Sequence, residues 1–250
     1  MNEAPPRRGD EQFAGQVNSM FDRISGVYDR MNRVMTAGLD RTWRARAAER
    51  SRLGPGQSAL DLCCGTGDVA LALAERVGPE GRVIGADYSR PMLDIASSKP
   101  TPAGSAAVEF QWADALDLPY DDESFDAVTI AFGARNLADL DRGISEMRRV
   151  LAPGGSLVIL EITQPRRQPL KGFFGLWFDR IVPVLGKLAG DPSAYEYLPE
   201  SVRSFPDAES LAGRLDRAGL RHDRWTLMAG GIIALHSAVK RIRGAQRRNP

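Results

Sequence analysis

Cysteine and histidine are scarce in this chain, with two of each in 250 residues. Cys63 and Cys64 are sequence neighbours, a poor geometry for a structural disulfide. They lack the C-x₂-C spacing of a zinc or dithiol motif, no second cysteine pair exists, and His222 and His236 lie far away in the chain. A metal centre is therefore not expected. An excess of one charge is missing too: Lys and Arg total 33 against 32 for Asp and Glu, which argues against nucleic acid as a partner. No stretch approaches the ~18 apolar residues of a membrane-spanning helix. The opening MNEAPPRRGDEQ has no apolar core segment of the secretory kind. Thiols without a disulfide framework or a signal segment predict a cytoplasmic chain. Also absent is G-x-x-x-x-G-K-[ST], the loop that grips a nucleotide phosphate.

What is present is an alternating pattern with ordinary apolar content, 43%, enough at this length for the core of one α/β domain. Residues 1–12 are polar and rich in Pro and Arg and are expected to be a disordered tail. Residues 13–50 read as two helices. The turn GPGQ (54–57) launches a strand, SALDLC (58–63), followed by a helix over 67–77. RVIGAD (82–87), a helix over 90–98, VEFQWA (108–113), FDAVTIA (125–131), a helix over 139–151 and SLVILEIT (156–163) continue the alternation. Such alternation predicts right-handed βαβ units and a parallel sheet covered by helices on both faces. Residues 165–200 break the rhythm with Pro, Gly and aromatic residues and read as an insertion. A helix over 207–218 and strands at about 221–228 and 231–239 close the sheet. The basic tail, 241–250, reads as a solvated end. A single domain over 13–240 is the expectation.

The stretch LDLCCGTGD (60–68) carries the first chemical signal. Gly65, Gly67 and Ala70 fit G-x-G-x-x-[GA], the dinucleotide fingerprint, which alone is weak. The same glycines would serve the nucleoside loop of an S-adenosylmethionine enzyme, because a backbone without Cβ lets a ligand approach closely. Either ligand would use an acid at the end of the second strand, here Asp87, for its ribose hydroxyls. Asp61, four residues before Gly65, favours a cationic ligand over a pyrophosphate, which it would repel. Asp114, after the third strand, could meet an adenine amino group. Each acid also has an ordinary structural alternative. Asp61 can simply position the loop, and Asp114 can be a turn acid. Asp87 can cap the helix at Pro91, although Ser89 is the better N-cap. The Cys63–Cys64 pair reads as small residues at a tight turn.

In order, LDLCCGTGD, ADYSRPML, FDAVTIAFG and VLAPGGSLVILE resemble the class I S-adenosylmethionine-dependent methyltransferases. YDRMNRVMTAGLDRTW (28–43), FGARN (132–136), RVLAPGGSLVILEIT (149–163), DPSAYEYLPESVRSFPD (191–207) and GGIIALHSAVK (230–240) further resemble the ubiquinone/menaquinone biosynthesis C-methyltransferase family, over about residues 17–240. The resemblance implies a Rossmann-like, mostly parallel seven-stranded sheet, with N-terminal helices and a helical insertion before the last strands. It implies S-adenosylmethionine as cofactor, bound by Asp61, Gly65, Thr66, Gly67, Asp87, Tyr88, Asp114 and Ala115. It also implies a polyprenyl quinol substrate, most simply demethylmenaquinol. A benzoquinol of the ubiquinone pathway is the alternative within the family, and a nicotinamide-dependent oxidoreductase or a non-catalytic scaffold are the alternatives outside it. The chain departs from the family at Thr36 and Asp40, where Ser and His are usual, and at Ala131, Ala152 and Thr163.

Methylation of a ring carbon needs an electron-rich quinol held in line with the methyl group. On the resemblance, Arg135 would steady the developing oxyanion and Asn136 would bind a ring oxygen or a water. Asp114 would be a nearby proton acceptor, since arginine stays protonated. Tyr28, Asn32, Trp177 and Tyr195 are the expected substrate walls. The apolar stretch 170–188 reads as core, as a lid, or as an interfacial helix at the inner face of the cell membrane. Both peripheral membrane contact and a homodimer stand as expectations.

Overall fold

Strand β1 (Ser58–Leu62) is buried after its first residue and pairs in parallel with two neighbours, β2 (Arg82–Asp87) and β4 (Phe125–Ala131). A strand hydrogen-bonded on both sides and covered on both faces reads as a nearly unbroken apolar run, and A-L-x-L does so. The computed structural model describes residues 13–165, 172, 175 and 192–242. The tails at 1–12 and 243–250 and most of the expected insertion lie outside them.

The sheet has seven strands in the order β3-β2-β1-β4-β5-β7-β6. β3 (Val108–Trp112), β2, β1, β4 and β5 (Leu151–Ile162) run parallel, while β7 (Ile233–Lys240) is antiparallel to β5 and to β6 (Leu220–Met228). The alternation predicts the parallel strands, and the mixed, mostly parallel seven-stranded sheet is the one the resemblance implies. The period of two sorts the side chains. Leu60 and Leu62 face α5 (Leu140–Val150) and α7 (Ala208–Arg217), whose Ile144, Met147, Leu211 and Leu215 complete that core. Ala59 faces α3 (Asp68–Val77) on the other side, against Leu73, Ala74 and Val77. α2 (Leu39–Arg50) lays Trp43 and Ala47 over β5 and β7. α1 (Phe13–Met35) packs on α4 (Arg90–Ser98) and on α6 (Pro192–Ser204).

Helix starts follow their sequence signals. Ser89 caps α4 by accepting the Met92 N–H, with Pro91 in the first turn, and Asp139 and Asp207 cap α5 and α7 in the same way. Several boundaries differ from the sequence reading, three of them with a clear local cause. β1 stops at Leu62, because Cys63 turns into the left-handed region at φ +52°. β5 begins at Leu151, since Leu151 pairs with Phe125 and Ser156 with Ala127, so the APGG stretch is a bulge inside the strand and not a turn before it. β7 begins at Ile233, after a 3-10 turn over Ala229–Gly231 in which Gly230 and Gly231 both have positive φ.

The strand order reverses direction at β1, with β2 on one side and β4 on the other. In such sheets the crevice beyond the carboxyl ends of these strands is where ligands bind. The carboxyl ends of β1, β2 and β4 lead into Cys63, Tyr88 and Phe132.

Candidate active site

The glycine loop connects β1 to α3, and its two glycines have different causes. Gly67 has φ +85°, and a Cβ there would stand 2.7 Å from the Phe110 ring, so helix and sheet could not pack as closely. Gly65 has φ +54°, and a Cβ there would meet no protein atom within 4 Å. It borders an open cleft of about 830 Å³ instead. The Gly65 N–H donates to Asp87 Oδ2 at 2.7 Å, and the Ser89 N–H donates to Oδ1 at 2.9 Å. Burial pushes the Asp87 carboxyl above its ordinary value, against the lowering effect of these N–H donors.

Asp87, Tyr88, Asp114 and Ala115 line one wall of this cleft, as the sequence suggested, and Tyr28, Phe132 and Asn136 stand on the other. α1 roofs it with Val17, Asn18 and Phe21. Polar contacts hold the roof down: Ser89 Oγ donates to Asp22 at 2.5 Å and Thr66 Oγ1 to Asp29 at 2.6 Å. Lys99 Nζ joins Asp29, Thr66 and Asp68 within 3.0 Å. Burial alone would raise the Asp29 carboxyl, but the Thr66 hydrogen bond and the Lys99 charge hold it below its ordinary value.

Several expected site residues lie elsewhere than the cleft wall. The Thr66 hydroxyl points to Asp29, because the αL turn at Gly67 brings it under α1. Asp61 is 1% exposed and is not among the residues lining this cleft or the apolar cavity beside it. On β1 its side chain falls on the α3 side, where one oxygen accepts from Thr129 Oγ1 at 2.6 Å and the other has no partner. Burial pushes this carboxyl up to about 7, despite the Thr129 hydrogen bond and the Arg44 charge. Asp114 Oδ1 accepts the Leu116 N–H at 2.8 Å, closing a turn, and Asp114 lines the first cleft alone. Asp114 is thus both a turn acid and a cleft residue. Trp177 and the Tyr195 side chain lie outside the described residues, as does nearly all of the 170–188 stripe.

A second cavity, of about 1310 Å³, opens between α1, α2 and the end of β4. Its wall is largely apolar: Met35, Leu39, Trp43, Ile162, Leu198, Ile232 and Ile233. Tyr28, Asn32, Asp40, Arg44 and Arg135 supply its polar groups. Tyr28 and Phe132 belong to both cavities, so the two meet there. Phe132 holds φ +59°, a conformation uncommon for a bulky residue. Its N–H bonds the Leu160 carbonyl at 2.7 Å, and the Arg44 guanidinium lies 5.7 Å from its ring centre.

Arg135 is 6% exposed, in the 3-10 turn after β4. Its Nη1 donates to Glu161 Oε1 at 2.8 Å and to the Phe132 carbonyl at 2.6 Å, and its backbone N–H reaches Glu161 Oε2 at 3.1 Å. Burial works against the guanidinium charge, but the Glu161 carboxylate beside it outweighs this and raises its pKa. Asn136 Oδ1 accepts from Tyr197 Oη at 3.1 Å, and its Nδ2 leans on the Phe132 carbonyl. Glu161 escaped the sequence reading. Its signal was an acid inside the apolar run VILEIT, a place that burial forbids unless a partner exists. Asp22, Asp29 and Lys99 escaped as well and carried no such signal, being ordinary charges on helix faces.

Cys64 is buried and Cys63 is half-buried at the edge of the first cleft, and desolvation raises both thiols well above the ordinary value. Cys63 packs so closely on Gly133 that a Cβ on Gly133 would stand 2.4 Å from its own. Among the described residues no group of three or more His, Cys, Asp or Glu could hold a metal ion, and no helix is long and apolar enough to cross a membrane.

Known proteins are similar to this chain. A protein of Deinococcus radiodurans named demethylmenaquinone methyltransferase is 43% identical over 238 residues, 94% of this chain and 98% of its own. One of Saccharophagus degradans, named ubiquinone/menaquinone biosynthesis C-methyltransferase UbiE, is 40% identical over 229 residues, 91% and 92% of the two chains. The crystal structure of a SAM-dependent methyltransferase from Aquifex aeolicus shares the fold, with TM-score 0.58 and 21% identity over 78% of this chain and 88% of that one. The profile of the ubiE/COQ5 methyltransferase family matches residues 9–240, so the chain belongs to that family and is a methyltransferase.

Proposed function

We propose that the protein moves a methyl group from S-adenosylmethionine to a ring carbon of a polyprenyl quinol, turning demethylmenaquinol into menaquinol in menaquinone biosynthesis. The observation that carries this is the meeting of two unlike cavities at Tyr28 and Phe132. One has a glycine loop and acids at strand ends, and the other is largely apolar, as a ring with a prenyl tail requires. The relatives' names supply the quinone chemistry.

The residues fit the cofactor on two counts. The space in front of Gly65 is a cradle that any Cβ would fill. Asp87 places a carboxyl beside that loop with room left for hydrogen bonds from a ligand. When bound, S-adenosylmethionine supplies an electrophilic methyl group on a sulfonium. Asp87 keeps lone pairs for the ribose hydroxyls beyond its two backbone donors. Asp114 Oδ2 and the backbone at Ala115 meet the adenine, with Tyr88 at its edge. Thr66 and Gly67 hold the loop in shape, and Asp61 braces it from below. At the ring, Arg135 faces the oxygen next to the reacting carbon and remains charged throughout. Asn136 binds an oxygen or a water beside it. Tyr28 and Asn32 form the wall, and the apolar lining takes the tail.

A membrane-dissolved substrate sets the location. Leu39 borders the second cavity and is 50% exposed, and Val34, near it in the chain, is 61% exposed. We place the protein in the cytoplasm, with this face against the bilayer. The test is anaerobic incubation with S-adenosylmethionine and chemically reduced demethylmenaquinone, read by mass spectrometry for a methylated product. A reduced benzoquinol and NADH serve as the competing ligands. Methylation of the benzoquinol alone, or binding of NADH in place of S-adenosylmethionine, would refute the proposal.

A further inference from the structure

Asp40 stands out among the cavity residues. It is 5% exposed and is the only acid among the described residues lining the second cavity. Its carboxylate is poorly satisfied. Thr36 Oγ1 lies 3.0 Å from Oδ1 but also 2.8 Å from the Asn32 carbonyl, and its single hydrogen serves one of them at a time. Arg44 Nε stands 3.8 Å from Oδ2, too far for a hydrogen bond, and that Nε has no partner of its own. A buried carboxylate with so few donors is costly unless a ligand completes it. The other acids near the site are engaged elsewhere: Glu161 with Arg135, Asp87 with two backbone N–H groups, Asp61 with Thr129.

We propose that Asp40 is the base that takes the proton from a quinol hydroxyl in this cavity, an assignment that rests on the quinol-methylating function above. The O–H bond breaks and its proton goes to Asp40, leaving a phenolate whose ortho carbon is nucleophilic. That carbon forms a bond to the methyl group as the methyl–sulfur bond breaks and its electron pair stays on sulfur as a neutral thioether. The ring carbon then loses its own proton to water, and Asp40 returns its proton to the oxygen. One proton is released per methyl transferred. As Asp40 becomes neutral its negative charge reappears on the quinol oxygen, still inside the cavity that Arg44 and Arg135 line. Arg44, laid against the Phe132 ring, is a positioning residue for this exchange.

The test is single-turnover methylation by the full chain with pre-bound S-adenosylmethionine and saturating reduced demethylmenaquinone. Asp40→Asn should slow methyl transfer by about 100-fold or more, the range for a lost general base, while the dissociation constant for S-adenosylmethionine, measured by calorimetry, stays near wild type. Asp40→Ser leaves room for a small acid, so formate should restore part of its rate and leave wild type unaffected. A structural role for Asp40 would give no such rescue. An Asn variant that binds S-adenosylmethionine and methylates at the wild-type rate overturns the assignment, and so does a Ser variant that formate does not speed. If Asn does not fold, the formate arm decides. Wild type that methylates no reduced quinol refutes the function itself, which separates that failure from a failure of Asp40.

Discussion

Replacing Arg135 by Leu should unsettle the fold before it reveals anything about catalysis. The side chains of Arg135 and Glu161 are 7% and 1% exposed, and they meet at 2.8 Å. Glu161 also accepts the Arg135 and Ile162 backbone N–H groups, so it cannot swing out to water without breaking both. Removing the guanidinium leaves a buried carboxylate without its countercharge, which costs about 3–5 kcal/mol. In a chain of this size each kcal/mol moves the melting temperature by roughly 2–4 °C, so the expected fall is on the order of 6–20 °C. Replacing both members by apolar residues removes the stranded charge as well. Arg135→Leu/Glu161→Leu should therefore recover most of the stability lost in Arg135→Leu. The assay is urea unfolding of wild type, both single variants and the double variant, with the interaction energy taken from the cycle. Additive losses, with a double variant less stable than either single, would refute the reasoning. The double variant then reports on chemistry: if Arg135 stabilises the developing oxyanion, it should bind S-adenosylmethionine normally and methylate about 100-fold more slowly or worse. A wild-type chemical rate in that folded variant would confine Arg135 to the ion pair.

Three further outcomes are expected. Gly67→Ala meets both a positive φ and the Phe110 ring and should lower stability by more than the ~1–2 kcal/mol that a left-handed alanine costs. Gly65→Ala has only the positive φ against it, so it should cost less stability and more S-adenosylmethionine affinity; the reverse ranking, by thermal melts and calorimetry, would refute the two causes assigned to these glycines. Folded Asp61 keeps its proton up to about 7, whereas an unfolded aspartate releases it near ~4. From roughly pH 4 to 7 the folded state thus binds the extra proton, and stability falls as pH rises, by roughly 2–4 kcal/mol, then stays level above 7. Asp61→Asn should flatten that slope in urea midpoints at pH 5 and 8, and an unchanged slope would count against the assignment. Cys64 should react with a thiol reagent at pH 7 only after urea unfolding, because it is buried and burial keeps it protonated; prompt labelling of Cys64 in the native protein would contradict its burial.

Periodicity and capping were enough to place most elements. The apolar run A-L-x-L, the Ser89 and Asp139 caps and the alternation of strand and helix are local, one-dimensional signals, and the tertiary fold respects them because burial and orphan N–H groups demand it. The first cleft was legible for the same reason: Gly65, Asp87 and Asp114 sit at strand ends, and strand ends of a parallel sheet converge on one edge. The strand boundary at APGG was not legible, since pairing of Leu151 with Phe125 across a bulge depends on the neighbouring strand. Side-chain direction was not legible either. Thr66 turns to Asp29, Asp61 sinks beneath the loop, and Asp114 lines the first cleft, because a single left-handed residue or one step of strand register decides each. The Arg135–Glu161 pair and the cavity at Asp40 join residues from different elements, α1, α2, β4 and β5. No spacing along the chain encodes those distances; they exist only once the helices have packed on the sheet.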